Sequence, residues 1–324
     1  MSAIIPIDLP VDEATKRQLR TGERRAEFAA AKSAKRRLTS RGATIAALLI
    51  AILWTIPTFG LFVSSFRPAQ LVRTTGWWTI FENPGFTLEN YSEVLQAGNS
   101  QLNLAGAFIN SIAITLPATL LPLIVASLAA YAFAWIDFRG KNVMFIAVFA
   151  LQIVPLQMAL VPLLQYFSRG EIFGFPAVES ISASGGYSQV WIAHTMFALP
   201  LAIYLLHNFI SEIPSEVIEA ARVDGAGHGQ VFFRIVLPLT MPAIASFAIF
   251  QFLWVWNDLL VALIFADGAV APMTKLLAEI TGTRGQDWHL LTAGAFISIL
   301  VPLLVFFALQ RFFVRGLLAG STKG

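Results

Sequence analysis

Cysteine is absent from this chain, and charge is scarce. Only 13% of its 324 residues are Asp, Glu, Lys or Arg, and 56% are hydrophobic, where an ordinary soluble domain carries about 25% charged and roughly 45–50% apolar residues. The first absence excludes disulfides, thiol catalysis and thiolate metal sites. The second leaves too little polarity to cover a water-facing surface, which points to lipid as the solvent. The four histidines, His194, His207, His228 and His289, have no paired metal-ligand spacing and read as structural. A phosphate-cradling G-x-x-x-x-G-K-[ST] run is also missing. Gly140-Lys141 is the only Gly-Lys pair, Asn142 follows it, and no glycine stands five positions before. The chain is therefore expected to bind no cofactor or metal, to have no catalytic residues, and not to hydrolyse ATP itself.

What is present is a set of long apolar runs. A bilayer core about 30 Å thick needs roughly 20 apolar residues per helix. Six runs of about that length occur, near 43–66, 108–135, 143–167, 190–209, 241–265 and 290–313, with no Lys or Arg in their interiors. They are apolar on every face and do not alternate, so helices are expected and not barrel strands. Prolines at Pro57, Pro117, Pro122, Pro155, Pro162 and Pro200 are expected to kink these helices without ending them, because neighbours in a membrane satisfy the freed carbonyls. The fold class is thus an all-α membrane protein of six transmembrane helices, residues 43–315, between a basic segment 1–42 and a tail 316–324.

Positive charge fixes the expected orientation. Lys16, Arg17, Arg20, Arg24, Arg25, Lys32, Lys35, Arg36, Arg37 and Arg41 precede the first run, which places the N-terminus in the cytoplasm. Six crossings return the C-terminus there, with Arg311, Arg315 and Lys323. Arg139, Lys141, Arg222 and Arg234 fall inside too, and Arg67, Arg73, Arg169, Lys275 and Arg284 outside. About forty polar residues precede the first run, with no short apolar core and cleavage site, so that span is expected to be retained. Beside a membrane helix the basic segment reads as an orientation signal with affinity for anionic lipid, not as a nucleic-acid arm.

Between the fourth and fifth runs, residues 212–238 are too polar to span and too patterned to be a simple connection. Pro214 suits a first helical turn, Glu216 and Glu219 favour its positive end, and Gly225 permits a left-handed stop. A second helix is expected from about Gly229 to Val236. Val217, Ala220, Ala221 and Asp224 fall at i, i+3, i+4 and i+7, giving a narrow, small-sided face that lets another surface approach closely. An amphipathic helix lying on the inner leaflet is the alternative, but such helices set large apolar residues against a Lys/Arg-rich face, and this one is small-sided and acidic.

This loop resembles that of the permease subunits of ATP-binding-cassette importers, which carry E-A-A, three residues, G, nine residues, then I-x-L-P. Glu219, Ala220, Ala221, Gly225, Ile235, Leu237 and Pro238 fill the fixed positions, with His228-Gly229 where a bulkier pair is expected. Ser65-Phe-Arg-Pro68, Phe86-Thr-Leu-Glu-Asn-Tyr91, Phe108-Ile-Asn-Ser111, Trp256-Asn-Asp258 and the ending from Phe313 to Gly324, with Leu318 in place of Thr, are similar to the carbohydrate group of the family, maltose and alpha-glucoside type. The resemblance implies an inner-membrane subunit that works with a second homologous permease, two ATPases using ATP and Mg, and an extracytoplasmic sugar-binding protein. It also implies that the loop docks in the ATPase as a coupling helix, with Glu219 meeting basic residues there.

Sugar passage calls for hydrogen-bonding groups and aromatic faces along a cavity. The candidates are Gln152, Gln157 and Gln165 on the third run, and Gln251, Trp254, Trp256, Asn257 and Asp258 on the fifth. The glutamines equally suit interhelical hydrogen bonds and the tryptophans an interfacial belt. The small residues of Ala126-Ser-Leu-Ala-Ala130 read as helix packing. A rival reading is an ion-coupled sugar carrier, which needs buried ionisable groups along its path. The runs nearly lack them. Asp258, about 27 Å beyond Thr240 at roughly 1.5 Å per residue, stands near the outer interface and not at mid-membrane. A membrane-anchored scaffold or enzyme has no nucleophile–base pair or metal cluster behind it.

Overall fold

In a computed structural model of the protein, the described residues are 41–96, 103–169, 171–172, 175–176, 186–266, 268–280 and 287–319. The basic segment up to residue 40, Arg284 and the last residues, 320–324, lie outside them. Apart from two two-residue strands, Glu171–Ile172 and Phe175–Pro176, paired antiparallel, the regular structure among the described residues is helical. The chain divides into two compact units, up to Gly60 and from Leu61 onward.

The first helix, α1 (Arg41–Ser65), is apolar on all sides. Then come a short α2 (Ala69–Thr74), α3 (Glu89–Gln96) and α4 (Leu104–Trp135). After these stand α5 (Lys141–Ala150), α6 (Leu156–Arg169), α7 (Tyr187–Ser211) and α8 (Ser215–Val223). Helix α9 (His228–Val231) runs through a π-turn, Phe232–Val236, into α10 (Leu237–Trp256). Last are α11 (Leu260–Phe265), α12 (Met273–Ile280) and α13 (Trp288–Ala319). Among the described residues, five helical rods are long and apolar enough to cross a membrane, and a sixth crossing results if the bent pair α5 and α6 counts as one.

The second unit is organised around α4 and α7. Ala118, Ala126, Ser127 and Ala130 on α4, and Ala193, Ala202 and Leu206 on α7, are buried, and small side chains let backbones approach closely where lipid offers no hydrophobic drive. Trp191 Nε1 on α7 donates to the Ala113 carbonyl at 3.0 Å, and Trp135 Nε1 on α4 donates to the Ile210 carbonyl at 3.3 Å. The small-residue stretch expected to pack does so through Ala126, Ser127 and Ala130, while Leu128 faces outward.

Two expected spans are interrupted. Pro155 ends a helix where only a kink was expected. A 3-10 turn closes α5, Val154 is extended at ψ 118, and α6 departs at 102°. The residue before proline is biased out of the helical region, and Val154 has taken the extended alternative. Pro117, Pro122, Pro162 and Pro200, by contrast, lie within continuous helices. The run expected over 241–265 likewise stops at Trp256. Asn257 Nδ2 folds back to the Leu253 carbonyl at 2.8 Å, and Asp258 Oδ2 accepts the backbone N–H groups of Val261 and Ala262 at 3.0 and 3.2 Å, capping α11.

At the end remote from the 212–238 loop, the blocks Ser65–Pro68 and Phe86–Tyr91 pack on each other. Asn90 Nδ2 donates to the Ser65 and Arg67 carbonyls at 3.0 and 2.9 Å, and the Phe66 and Phe86 rings stack at 5.1 Å. Burial pushes the Tyr91 phenol above its ordinary pKa, opposed by its hydrogen bond to Ser65 Oγ. Arg67 is fully buried, donating to the Gly76 carbonyl and the Thr75 and Thr79 hydroxyls. Asn110 and Ser111 on α4 fasten the segment before α12 through the Ala269 and Ala271 carbonyls and the Met273 N–H.

Candidate functional site

Helix α8 starts at Ser215, after Pro214, whose missing N–H costs nothing where helical donors are unpaired anyway. Glu216 stands in its first turn and Arg222 in its last, the arrangement a helix dipole favours. Its end is a Schellman motif. Ala226 N–H bonds to the Ala221 carbonyl at 2.9 Å, Gly225 N–H to the Arg222 carbonyl at 3.0 Å, and Gly225 has φ +82. A Cβ at Gly225 would meet no atom within 4 Å. The glycine is therefore required by backbone conformation and not by crowding.

The second helix differs from its expected extent. It begins at His228 and does not stop at Val236, since the ladder continues through the π-turn into α10 and gives one 29-residue rod, His228–Trp256. Pro238 supplies the reason for the widened turn. Its missing N–H and its ring would disturb the bond to the carbonyl four residues back, and an i to i+5 turn just before it shifts the register. Leu237 and Pro238 thus stand where loop passes into span.

The expected face Val217, Ala220, Ala221 and Asp224 is exposed except at Ala221, which half-buries. Glu219 is exposed and has no hydrogen-bond or ion-pair partner among the described residues. With Val223, 86% exposed, these residues form a small-sided acidic surface flanked by Gly225, Gly227 and Gly229, around which there is open space. Ile235 is half-buried and packs on the core.

The residues that seat this surface escaped the sequence reading. Ile218, 1% exposed, enters a cluster with Tyr131, Phe133, Leu206, Ile210, Val231, Phe232 and Val236. Arg222 Nη2 donates to the Trp135 carbonyl at 3.0 Å. His228 Nδ1 lies 3.0 Å from the Tyr131 hydroxyl, so the His228 that departs from the expected pair fastens the second helix to α4. Ile218→Ala is expected to cost about 2–5 kcal/mol of local packing, read as faster amide exchange across 213–231 with the spans still protected.

The sugar-path candidates scatter. Gln152, Gln251 and Trp254 converge on one cavity of about 110 Å³, together with His194. Asn257 instead lines a larger groove among α10, α12 and α13, with Leu253, Ser298 and Phe306. Trp256 lines neither. It is buried against Phe108 and Phe252 and donates to the Ser298 carbonyl at 3.2 Å. Gln157 and Gln165 are exposed on α6. Gln251 is buried and Nε2 donates to the Ala118 carbonyl at 3.2 Å. Asp258 Oδ2 lies 3.7 Å from His194 Nε2, a pairing that the sequence separation hid.

Rods this long and apolar, with α4 and α7 as the spine of the second unit and the structured polar loop 212–238 seated against them, define a multi-pass α-helical membrane protein. Residues 123–318 match the family described as binding-protein-dependent transport system inner membrane component, and the chain belongs to that family. It is 52% identical over 285 residues to the osmoprotective compounds uptake permease protein GgtD of Synechocystis sp., covering 86% of this chain and 91% of GgtD. It is 50% identical over 251 residues to the alpha-glucoside transport system permease protein AglG of Rhizobium meliloti, covering 76% of this chain but only 63% of AglG. The fold matches a crystal structure of a bacterial ABC transporter involved in import of the acidic polysaccharide alginate, with TM-score 0.63 at 19% identity over 85% of this chain and 98% of that one. An ion-coupled carrier working alone finds no support in these matches.

Proposed function

We propose that this chain is a permease subunit of an ATP-driven importer that moves a sugar, an oligosaccharide or alpha-glucoside rather than a monosaccharide, across the bacterial inner membrane. The observation that carries this is the loop. Glu219, Ala220 and Ala221 stand on α8, Gly225 ends that helix, and Ile235, Leu237 and Pro238 lie where the rod from His228 passes into α10. The exposed face of α8 is small and acidic, with Glu219 unpaired among the described residues. The alpha-glucoside assignment rests on relatives such as AglG. In this reading the loop docks on one of two ATPases that use ATP and Mg. A second homologous permease completes the pore, and an extracytoplasmic binding protein delivers the sugar. Nucleotide-driven closure of the ATPases then moves the loop and biases the spans between inward-open and outward-open states.

Uptake in vesicles tests this. The purified chain alone is expected to move no sugar under any ion gradient, and the assembled complex with ATP to move labelled oligosaccharides. A complex that moved only amino acids or metal ions would overturn the substrate class.

The proposed topology places both chain ends and the loop in the cytoplasm, within six spans. The lack of native cysteine makes it directly testable. In intact cells an impermeant maleimide is expected to label Phe86→Cys, an exposed position, and not Glu219→Cys; the opposite pattern would invert the protein.

A further inference from the structure

On the six-span topology proposed above, the break between α5 and α6 falls at a depth where lipid does not permit irregular backbone. Gln152 is eleven residues along from Lys141, about 16 Å at 1.5 Å per residue, near the middle of a hydrocarbon core about 30 Å thick. Leu151, Gln152, Ile153, Val154 and Pro155 are all exposed in this chain. Irregular backbone at membrane depth is tolerated only against protein or beside water. The wall next to this break is a cavity. Gln152 lines it from the break itself, His194 from α7, and Phe247, Phe250, Gln251 and Trp254 from α10.

The chemistry of that wall is selective. Side-chain amides both donate and accept, as hydroxyls do, and the rings of Phe247, Phe250 and Trp254 offer flat faces for C–H groups. His194 is buried, and its Nε2 stands 3.7 Å from Asp258 Oδ2, which holds the ring between that carboxylate and the cavity. No Lys, Arg, Asp or Glu lines the cavity among the described residues, and the nearby carboxylate would repel an anion. The cavity's volume of about 110 Å³ is well above the roughly 10–15 Å³ that a single water needs, so several polar groups of a ligand fit within it.

We propose that this cavity is a hydroxyl-binding subsite on the translocation path, taking one edge of an uncharged sugar ring through Gln152, His194 and Gln251 with Trp254 as its aromatic wall, and rejecting acidic sugars. The proposal rests on the transport reading above and assigns part of the sugar contact to this subunit.

The test uses the whole importer, purified with its partner permease and ATPases. Retention of a radiolabelled neutral trisaccharide and of a trisaccharide of uronic acids is measured with the binding protein omitted, and ATP-driven uptake is measured in parallel with it present. Gln152 and Trp254 are exposed to the cavity, so Gln152→Leu and Trp254→Leu are chosen to leave the fold intact, which co-elution of the four-subunit complex checks. Each is expected to weaken retention of the neutral sugar about tenfold, the scale of one lost hydrogen bond or stacking contact, and the acidic sugar is expected not to be retained. Retention equal to wild type in both variants, uronic-acid retention matching the neutral sugar, or uptake without any retention would each overturn the subsite while leaving the transport function standing. A wild-type complex that imported no sugar would instead sink the transport reading.

Discussion

Glu219→Lys is expected to abolish uptake and to release the ATPase from the purified complex, while the protein still inserts in the membrane. Glu219 is exposed on α8 with no partner among the described residues, so reversing its charge disturbs nothing the chain itself needs. On the proposed docking, the loss falls on the contact with the ATPase. A charge-assisted hydrogen bond to Arg or Lys contributes roughly 1.5–3 kcal/mol, about a tenfold to hundredfold change in docking, and a lysine facing that cation adds repulsion. Co-purification and uptake should fall together. Normal ATPase binding with wild-type uptake would reduce the loop to a connection.

Gly225→Val should act differently, leaving hydrolysis running while transport stops. A built Cβ meets nothing within 4 Å, yet φ is +82, so the penalty is the backbone's alone, about 1–2 kcal/mol for an L residue in the left-handed region. The relief of that strain is a different path out of α8, which misdirects α9 relative to the exposed face of α8. Asn tolerates the left-handed region, so Gly225→Asn is expected to keep most of the coupling, and this pair separates conformation from bulk. Equal loss in both variants would show that the bare backbone surface, and not the turn, is what the partner requires.

The loop and the helical class were legible because their signals are local. Capping residues, a glycine stop and apolar run lengths act over a few residues, and Gly225 ends α8 as its type demanded. What stayed hidden depends on neighbours distant in sequence. Nothing in the pattern of 212–238 marks Ile218 above Val217, yet Ile218 meets Tyr131 and Leu206 in one cluster while Val217 faces outward. Runs apolar on every face carry no periodicity to show where a helix stops, so the apolar residues of α11 read as a continuation of α10. The same uniformity hid which proline would break its helix. Of the residues proposed to meet sugar, the polar types were readable and their grouping was not. Gln152 and Gln251 converge, Trp256 serves the core, and Asp258, in the turn after α10, meets His194 on α7.

The continuity of α9 with α10 sets a scale for what the loop can transmit. Twenty-nine residues at about 1.5 Å each make a rod roughly 43 Å long, which the proposed docking would move as a lever from its loop end. A tilt of about five degrees there displaces the far end by about 4 Å, comparable to the width of a sugar ring's hydrogen-bonding edge. Trp256 and the Asp258 turn sit at that far end, and Gln251 and Trp254 lie within its last turns, so the leverage is greatest where a small movement would open or shut a passage.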